Sequence, residues 1–183
     1  MLVCGGVKKC VIFALALLAQ ERADHPVKGY HAFIDGGFNT AIGSNRYNRI
    51  SFSTSHGVQL NPFLFVGAGE ASQFYLSEEG NETYVDYCEP LFADIRIDFK
   101  PKKVSPFLDF RIGGSFVGDI TGFYTSITGG VRVGRCNFSL GYELQFIEDY
   151  DNPAYDSYSW DGSFVRDPAS SIVFKVGIDL GSR

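Results

Sequence analysis

From Ile50 to Leu60 the chain reads Ile-Ser-Phe-Ser-Thr-Ser-His-Gly-Val-Gln-Leu, with Ile50, Phe52, Val58 and Leu60 in one phase and Ser51, Ser53, Ser55 and Gln59 in the other. A period of two separates apolar from polar faces in an extended strand, whereas a helix would scatter the same residues around its circumference. Leu91, Ala93, Ile95, Ile97 and Phe99 likewise oppose Asp94, Arg96 and Asp98, and Phe138, Leu140, Tyr142, Leu144 and Phe146 oppose Ser139, Gly141, Glu143 and Gln145. Applied along the chain, the template predicts eight strands: Gly29 to Phe38, Arg49 to Leu60, Pro62 to Gln73, Cys88 to Lys100, Pro106 to Phe116, Gly122 to Val133, Asn137 to Ile147 and Ala169 to Leu180. Several approach the ~9 to 11 residues that a tilted strand needs to cross a bilayer. The third is the least regular, because Gly67-Ala-Gly69 weakens its pattern.

The connections sort into two kinds. Asn61-Pro62, Pro101-Lys-Lys-Val-Ser105 and Gly134-Arg-Cys136 are short and rich in turn residues. They alternate with longer or more polar segments at Thr40 to Asn48, Phe74 to Tyr87, Val117 to Thr121 and Glu148 to Pro168, of which the third is short. Short turns on one rim and longer loops on the other, with an even strand number, predict an all-β, eight-stranded, antiparallel up-and-down transmembrane barrel.

Composition supports strands: 17 Phe, 10 Tyr and 21 Gly stand against one Met in 183 residues. One domain, residues 29–180, accounts for the patterned chain. Ahead of it, Lys8 and Lys9 precede the apolar run from Cys10 to Ala19, and Gln20-Glu-Arg-Ala-Asp-His25 then turns polar. That order predicts a secretory signal peptide over residues 1–19, with cleavage as late as about residue 23. Removing Lys8 and Lys9 takes the formal charge from -5 to -5 minus 2, or -7. Such a balance argues against nucleic acid as a partner, because phosphate binding needs a basic face.

Alternation leaves open whether the apolar face meets lipid or fills an interior, as it would in a soluble ligand-binding barrel. The polar phase carries Asp35, Asp94, Arg96, Asp98, Asp109, Arg111, Arg132, Glu143, Lys175 and Asp179. Basic residues facing lipid at mid-strand would cost roughly 2 to 4 kcal/mol each. In a membrane barrel these ten therefore point inward, where their mixed signs predict an ion-paired plug across a lumen just wide enough for side chains. The direction of Ile50, Phe52, Ile95, Ile97, Leu140 and Leu144 separates the two barrels.

On these features, including the textures Phe107-Leu-Asp-Phe-Arg-Ile-Gly-Gly114 and Phe138-Ser-Leu-Gly-Tyr-Glu-Leu144, the chain resembles small outer-membrane β-barrels of the OmpA-barrel and OmpX type, also described as porin-like. The resemblance covers about Gly29 to Leu180. It implies residence in the outer membrane of a Gram-negative bacterium, with the lipid bilayer, lipopolysaccharide and the outer-membrane insertion machinery as partners. Such barrels end in an aromatic residue, whereas this sequence finishes Leu180-Gly-Ser-Arg183.

Catalysis is not expected. His56 falls in the apolar phase and His31 in the polar phase, so they do not converge, and no cofactor or metal motif is present. Interaction is expected instead at two acidic loops, one with Glu78 and Glu79, the other with Asp149, Tyr150, Asp151, Tyr155, Tyr158 and Trp160. Carboxylates suit a divalent cation and aromatic rings suit sugar faces, although a merely hydrophilic surface would look the same. Cys88 and Cys136 fall on opposite rims, beyond disulfide reach. The expected role is structural or surface-interacting, with a narrow channel for small solutes as the alternative.

Overall fold

The computed structural model describes residues 28–42, 48–79, 82–117, 120–147 and 169–181. Eight strands, β1 (Gly29–Ile42), β2 (Asn48–Asn61), β3 (Leu64–Glu79), β4 (Glu82–Asp98), β5 (Val104–Val117), β6 (Ile120–Val133), β7 (Cys136–Ile147) and β8 (Ala169–Asp179), follow one another in space as in sequence. Every neighbouring pair is antiparallel, and β1 pairs with β8 to close the barrel.

The register fixes the geometry. From Phe33 the cross-strand partners run Ser55, Gly69, Phe92, Gly113, Tyr124, Gln145 and Ala169. Phe33 itself pairs with Asp179 in β8, so one circuit slips by 179 minus 169, or ten residues. Eight strands with a shear of ten tilt by about 40° and enclose a backbone cylinder of about 8 Å radius. Only side chains fit inside.

Parity decides which side chains enter. Asp35, Asp94, Arg96, Asp109, Arg111 and Glu143 are each at most 3% exposed, while Phe52, Leu140 and Phe99 are 58%, 59% and 59% exposed. Ile50, Ile95 and Ile97 also face outward, and Leu144 is half-exposed on the same face. The barrel is inside out relative to a soluble one. Rings gather toward the long-loop end of this apolar wall, with Phe74 against Tyr87 at 5.6 Å and Phe123 against Phe146 at 6.2 Å.

The interior is not purely polar. Phe33, Phe65, Phe92, Phe107 and Tyr124 occupy inward positions and are buried. Glycines make room for two of these rings: a Cβ on Gly67 would lie 2.7 Å from Phe65 Cζ, and one on Gly69 would lie 2.7 Å from Phe92 Cε2. The irregular Gly67-Ala-Gly69 stretch thus belongs to a strand whose inward glycines are covered by neighbouring aromatic side chains.

The short-turn rim is built as the sequence predicts. Asn61 Oδ1 accepts from Phe63 N at 2.8 Å and Leu64 N at 3.0 Å, and Gly134 takes a φ of 60° in the β6–β7 turn. The other rim departs from expectation. Phe74 to Tyr87 is not a loop: β3 runs on to Glu79, β4 starts at Glu82, and their pairing continues through Glu79↔Glu82. Val117 to Thr121 is likewise mostly strand, because β5 and β6 pair to Val117↔Ile120. Above a membrane both faces of a hairpin meet water, so strands there continue without apolar alternation.

Candidate functional site: the lumen

The inward side chains form two polar tiers. In the lower tier Arg111, on β5, reaches across to β1, where Nη2 lies 2.6 Å from Asp35 Oδ2. The same guanidinium lies 3.2 Å from Asp109 Oδ2 and 3.6 Å from Asp94 Oδ2, and Nη1 donates to Ser53 Oγ at 2.9 Å. Arg96 Nη2 is 3.0 Å from Asp109 Oδ2 and 3.8 Å from Asp35 Oδ2. Two cations and three carboxylates from β1, β4 and β5 share this tier.

Each of these guanidinium groups also covers a ring. Arg96 Cζ lies 3.9 Å from the centroid of Phe33 and 4.9 Å from that of Phe107, while Arg111 Cζ lies 4.9 Å from Phe92. A planar guanidinium can bond carboxylates along its edge and present its face to an aromatic ring. The inward aromatics therefore orient the arginines.

The upper tier centres on Glu143 and Arg49. Glu143 Oε1 accepts from Asn39 Nδ2 at 2.7 Å and Gln73 Nε2 at 2.9 Å, and Oε2 accepts from Tyr124 Oη at 3.0 Å. Arg49 Nη2 is 3.4 Å from Glu143 Oε1 and donates to Ser171 Oγ at 2.5 Å, while Nη1 donates to Gln145 Oε1 at 2.6 Å. Gln145 Nε2 then reaches Ser115 Oγ at 2.7 Å and Cys88 Sγ at 3.0 Å. Asn39, Arg49, Gln73, Cys88, Ser115, Tyr124, Glu143 and Ser171 come one from each strand. This single tier ties the whole circumference together.

Near the short-turn rim Arg132 Nη1 lies 3.3 Å from Asp98 Oδ2, and His31 Nδ1 lies 3.2 Å from Asp179 Oδ1. Asp179 Oδ1 also accepts from Gly181 N at 2.8 Å. All ten charged residues expected in the lumen are buried there. Lys175 differs from the rest, since its hydrogen bond is to Ser126 Oγ at 3.4 Å, not to a carboxylate.

The sequence pattern placed Gln145 in the polar phase without a role, and Arg49, Asn39, Gln73 and Tyr124 were overlooked. Arg49 was detectable, because it precedes Ser51 by two and so shares the inward phase of β2. His31 and His56 fall as expected on opposite sides of the wall: His56 is exposed and its Nδ1 lies 2.6 Å from Tyr30 Oη. Among the described residues no His, Cys, Asp and Glu side chains group to hold a metal ion. Glu78 and Glu79 end β3, whereas Asp149, Tyr150, Asp151, Tyr155, Tyr158 and Trp160 lie outside the described residues, as does the predicted signal segment. Cys88 and Cys136 are both buried and form no disulfide.

No protein-family model matches the chain, and no curated protein matches it by sequence. Solved structures do match. The outer membrane enzyme PagL aligns over 80% of this chain and 98% of its own, with a TM-score of 0.51 and 12% identity. Neisserial surface protein A (NspA) aligns over 84% of this chain and 99% of its own, with a TM-score of 0.54 and 14% identity. Closed circuit, strand order and these two likenesses together give the chain the fold of the small eight-stranded outer-membrane β-barrels.

Proposed function

We propose that the protein is an integral outer-membrane barrel of a Gram-negative bacterium with a structural or surface-interaction role and a lumen closed by its own side chains. The upper tier carries this reading, because one hydrogen-bonded layer joins all eight strands across an interior of about 8 Å backbone radius. A solute would have to break several charge-assisted bonds to pass. The bilayer and lipopolysaccharide contact the apolar wall, the insertion machinery assembles it, and the β3–β4 hairpin and the other long-rim connections face outward from the cell. The reading assigns no reaction to the chain. Its two described histidines lie on opposite sides of the barrel wall, His31 beside Asp179 and His56 beside Tyr30.

Planar-bilayer recording tests the closed lumen. The purified protein should give no steady conductance above the lipid baseline, with its folded state checked by heat-modifiable gel mobility. Reproducible unit steps would instead support the narrow channel. Recovery in the aqueous phase without detergent would remove the membrane reading altogether.

A further inference from the structure

The two rims differ in charge in a way that the net value of -5 hides. Between Ser77 and Glu89 the β3–β4 hairpin carries Glu78, Glu79, Glu82, Asp86 and Glu89 and no base. At the short-turn rim, among the described residues, every charged side chain outside the lumen is basic: Lys28 ahead of β1, Lys100, Lys102 and Lys103 between β4 and β5, and Arg135 between β6 and β7. The acids of that end, Asp98 and Asp179, are buried in the lumen beside Arg132 and His31. Among the described residues no carboxylate lies within ion-pair distance of these outer bases.

Lys100, Lys102, Lys103 and Arg135 form one patch. Gly134 N donates to Lys103 O at 2.8 Å, which joins the β4–β5 turn to the β6–β7 turn, and Asp179 N donates to Arg135 O at 2.8 Å. The β2–β3 turn, Asn61-Pro62-Phe63, is uncharged, so the patch occupies one side of the rim. It adjoins the apolar wall directly. Phe99 and Val104, both more than half exposed, bracket the three lysines, and outward Val133 stands two residues before Arg135. Lysine and arginine stems lie along apolar surface while their charged ends reach water, so bases at this height meet the layer where acyl chains give way to headgroups.

Like charges gathered without acids repel one another, and an anion from outside relieves that repulsion. A fitting partner brings anions to the foot of an apolar wall. A phospholipid brings both parts, acyl chains against Phe99, Val104 and Val133 and a phosphate at the level of the bases, whereas a soluble acidic polymer matches the charges but not the wall. Anionic headgroups attract each Lys or Arg held near a membrane surface. We infer that the short-turn rim from β4 to β7 binds the headgroups of anionic phospholipids in the periplasmic leaflet, through Lys100, Lys102, Lys103 and Arg135. The inference rests on the membrane reading proposed above and adds to it a lipid class and a side of the barrel.

Electron spin resonance of chain-labelled lipids tests it. The protein is reconstituted in phosphatidylcholine vesicles with a trace of phosphatidylglycerol or phosphatidylcholine carrying a nitroxide deep in one acyl chain, and the motionally restricted fraction of each label is measured. Both leaflets hold the label, so either orientation of the barrel reports on the patch. Phosphatidylglycerol should associate about two-fold more strongly than phosphatidylcholine, and about 1 M salt should remove the preference, because the screening length falls to roughly 3 Å. Lys100→Gln, Lys102→Gln, Lys103→Gln and Arg135→Gln together should bring the ratio to unity. Lys100→Arg, Lys102→Arg and Lys103→Arg together should keep it, and Glu78→Gln with Glu79→Gln should not lower it. Heat-modifiable mobility verifies that each variant is folded. Equal restriction of the two lipids by the unmodified protein would overturn the inference, and co-sedimentation with peptidoglycan sacculi that the four Gln replacements abolish would then assign the patch to the wall polymer. A lipid preference that those four replacements leave unchanged would also overturn it. Absence of a restricted component for either lipid would instead overturn the membrane reading, and the inference with it.

Discussion

Arg111 Nη2 stands 2.6 Å from Asp35 Oδ2, a bond that spans the lumen from β5 to β1. Both side chains are almost fully buried, so neither charge can exchange its partner for bulk water. Replacing Asp35 with Ala leaves the guanidinium with its more distant acids and should destabilise the barrel by about 3 to 5 kcal/mol. Urea-induced unfolding in detergent or vesicles measures the change. The double replacement Asp35→Leu with Arg111→Met should cost less than the sum of the two singles, since it removes both charges together.

Arg49 and Glu143 make the corresponding test of the upper tier. Arg49→Ala releases Gln145 and Ser171 and leaves the Glu143 carboxylate without its cation. Conductance events absent from the unmodified protein should then appear in planar bilayers, with a preference for cations because Glu143 remains. A silent variant that is still folded would mean that the lower tier alone closes the lumen.

Two glycines on adjacent strands should respond differently to the same methyl group. A Cβ on Gly113 would collide with Leu91 O and Phe92 Cα, whereas on Gly129 the nearest neighbour, Leu108 Cδ1, is 4.0 Å away. Gly113→Ala should therefore destabilise the barrel by about 1 to 3 kcal/mol through overpacking. Gly129→Ala should be close to neutral in the same unfolding assay.

Cys88 and Cys136 should remain thiols. Cys88 is paired with Gln73 toward the long-loop end of β4, and Cys136 pairs with Val133 at the short-turn end of β7. Unfolding without reductant in the presence of an alkylating reagent should label both, read as one adduct on each of the two peptides that carry them. An internal disulfide would contradict the register.

Much of this architecture was legible in the chain because a closed barrel imposes one rule on every strand. Inward and outward positions alternate, so Asp94 and Arg96 cannot share a face with Ile95 and Ile97. What the pattern concealed has physical reasons. Phe33, Phe92 and Phe107 sit in the polar phase, where the guanidinium groups of Arg96 and Arg111 cover them, a contact between strands that no single strand's pattern carries. Residues 74–87 read as a loop because strands beyond an apolar belt lose the alternation that reveals strands within it. Arg49 stands one residue into β2, where the flanking sequence gives a phase only from one side. Pairings across the lumen, such as Asn39 with Glu143, depend on the shear of ten, which no local pattern encodes.

A membrane barrel requires its outer wall to meet lipid. Single nitroxide labels at Phe52, Ile95, Leu140 and Phe174, all outward and exposed, should in bilayers collide far more often with dissolved oxygen than with a water-soluble nickel chelate. Labels more accessible to the chelate than to oxygen at all four sites would contradict it, because the apolar wall would then stand in water.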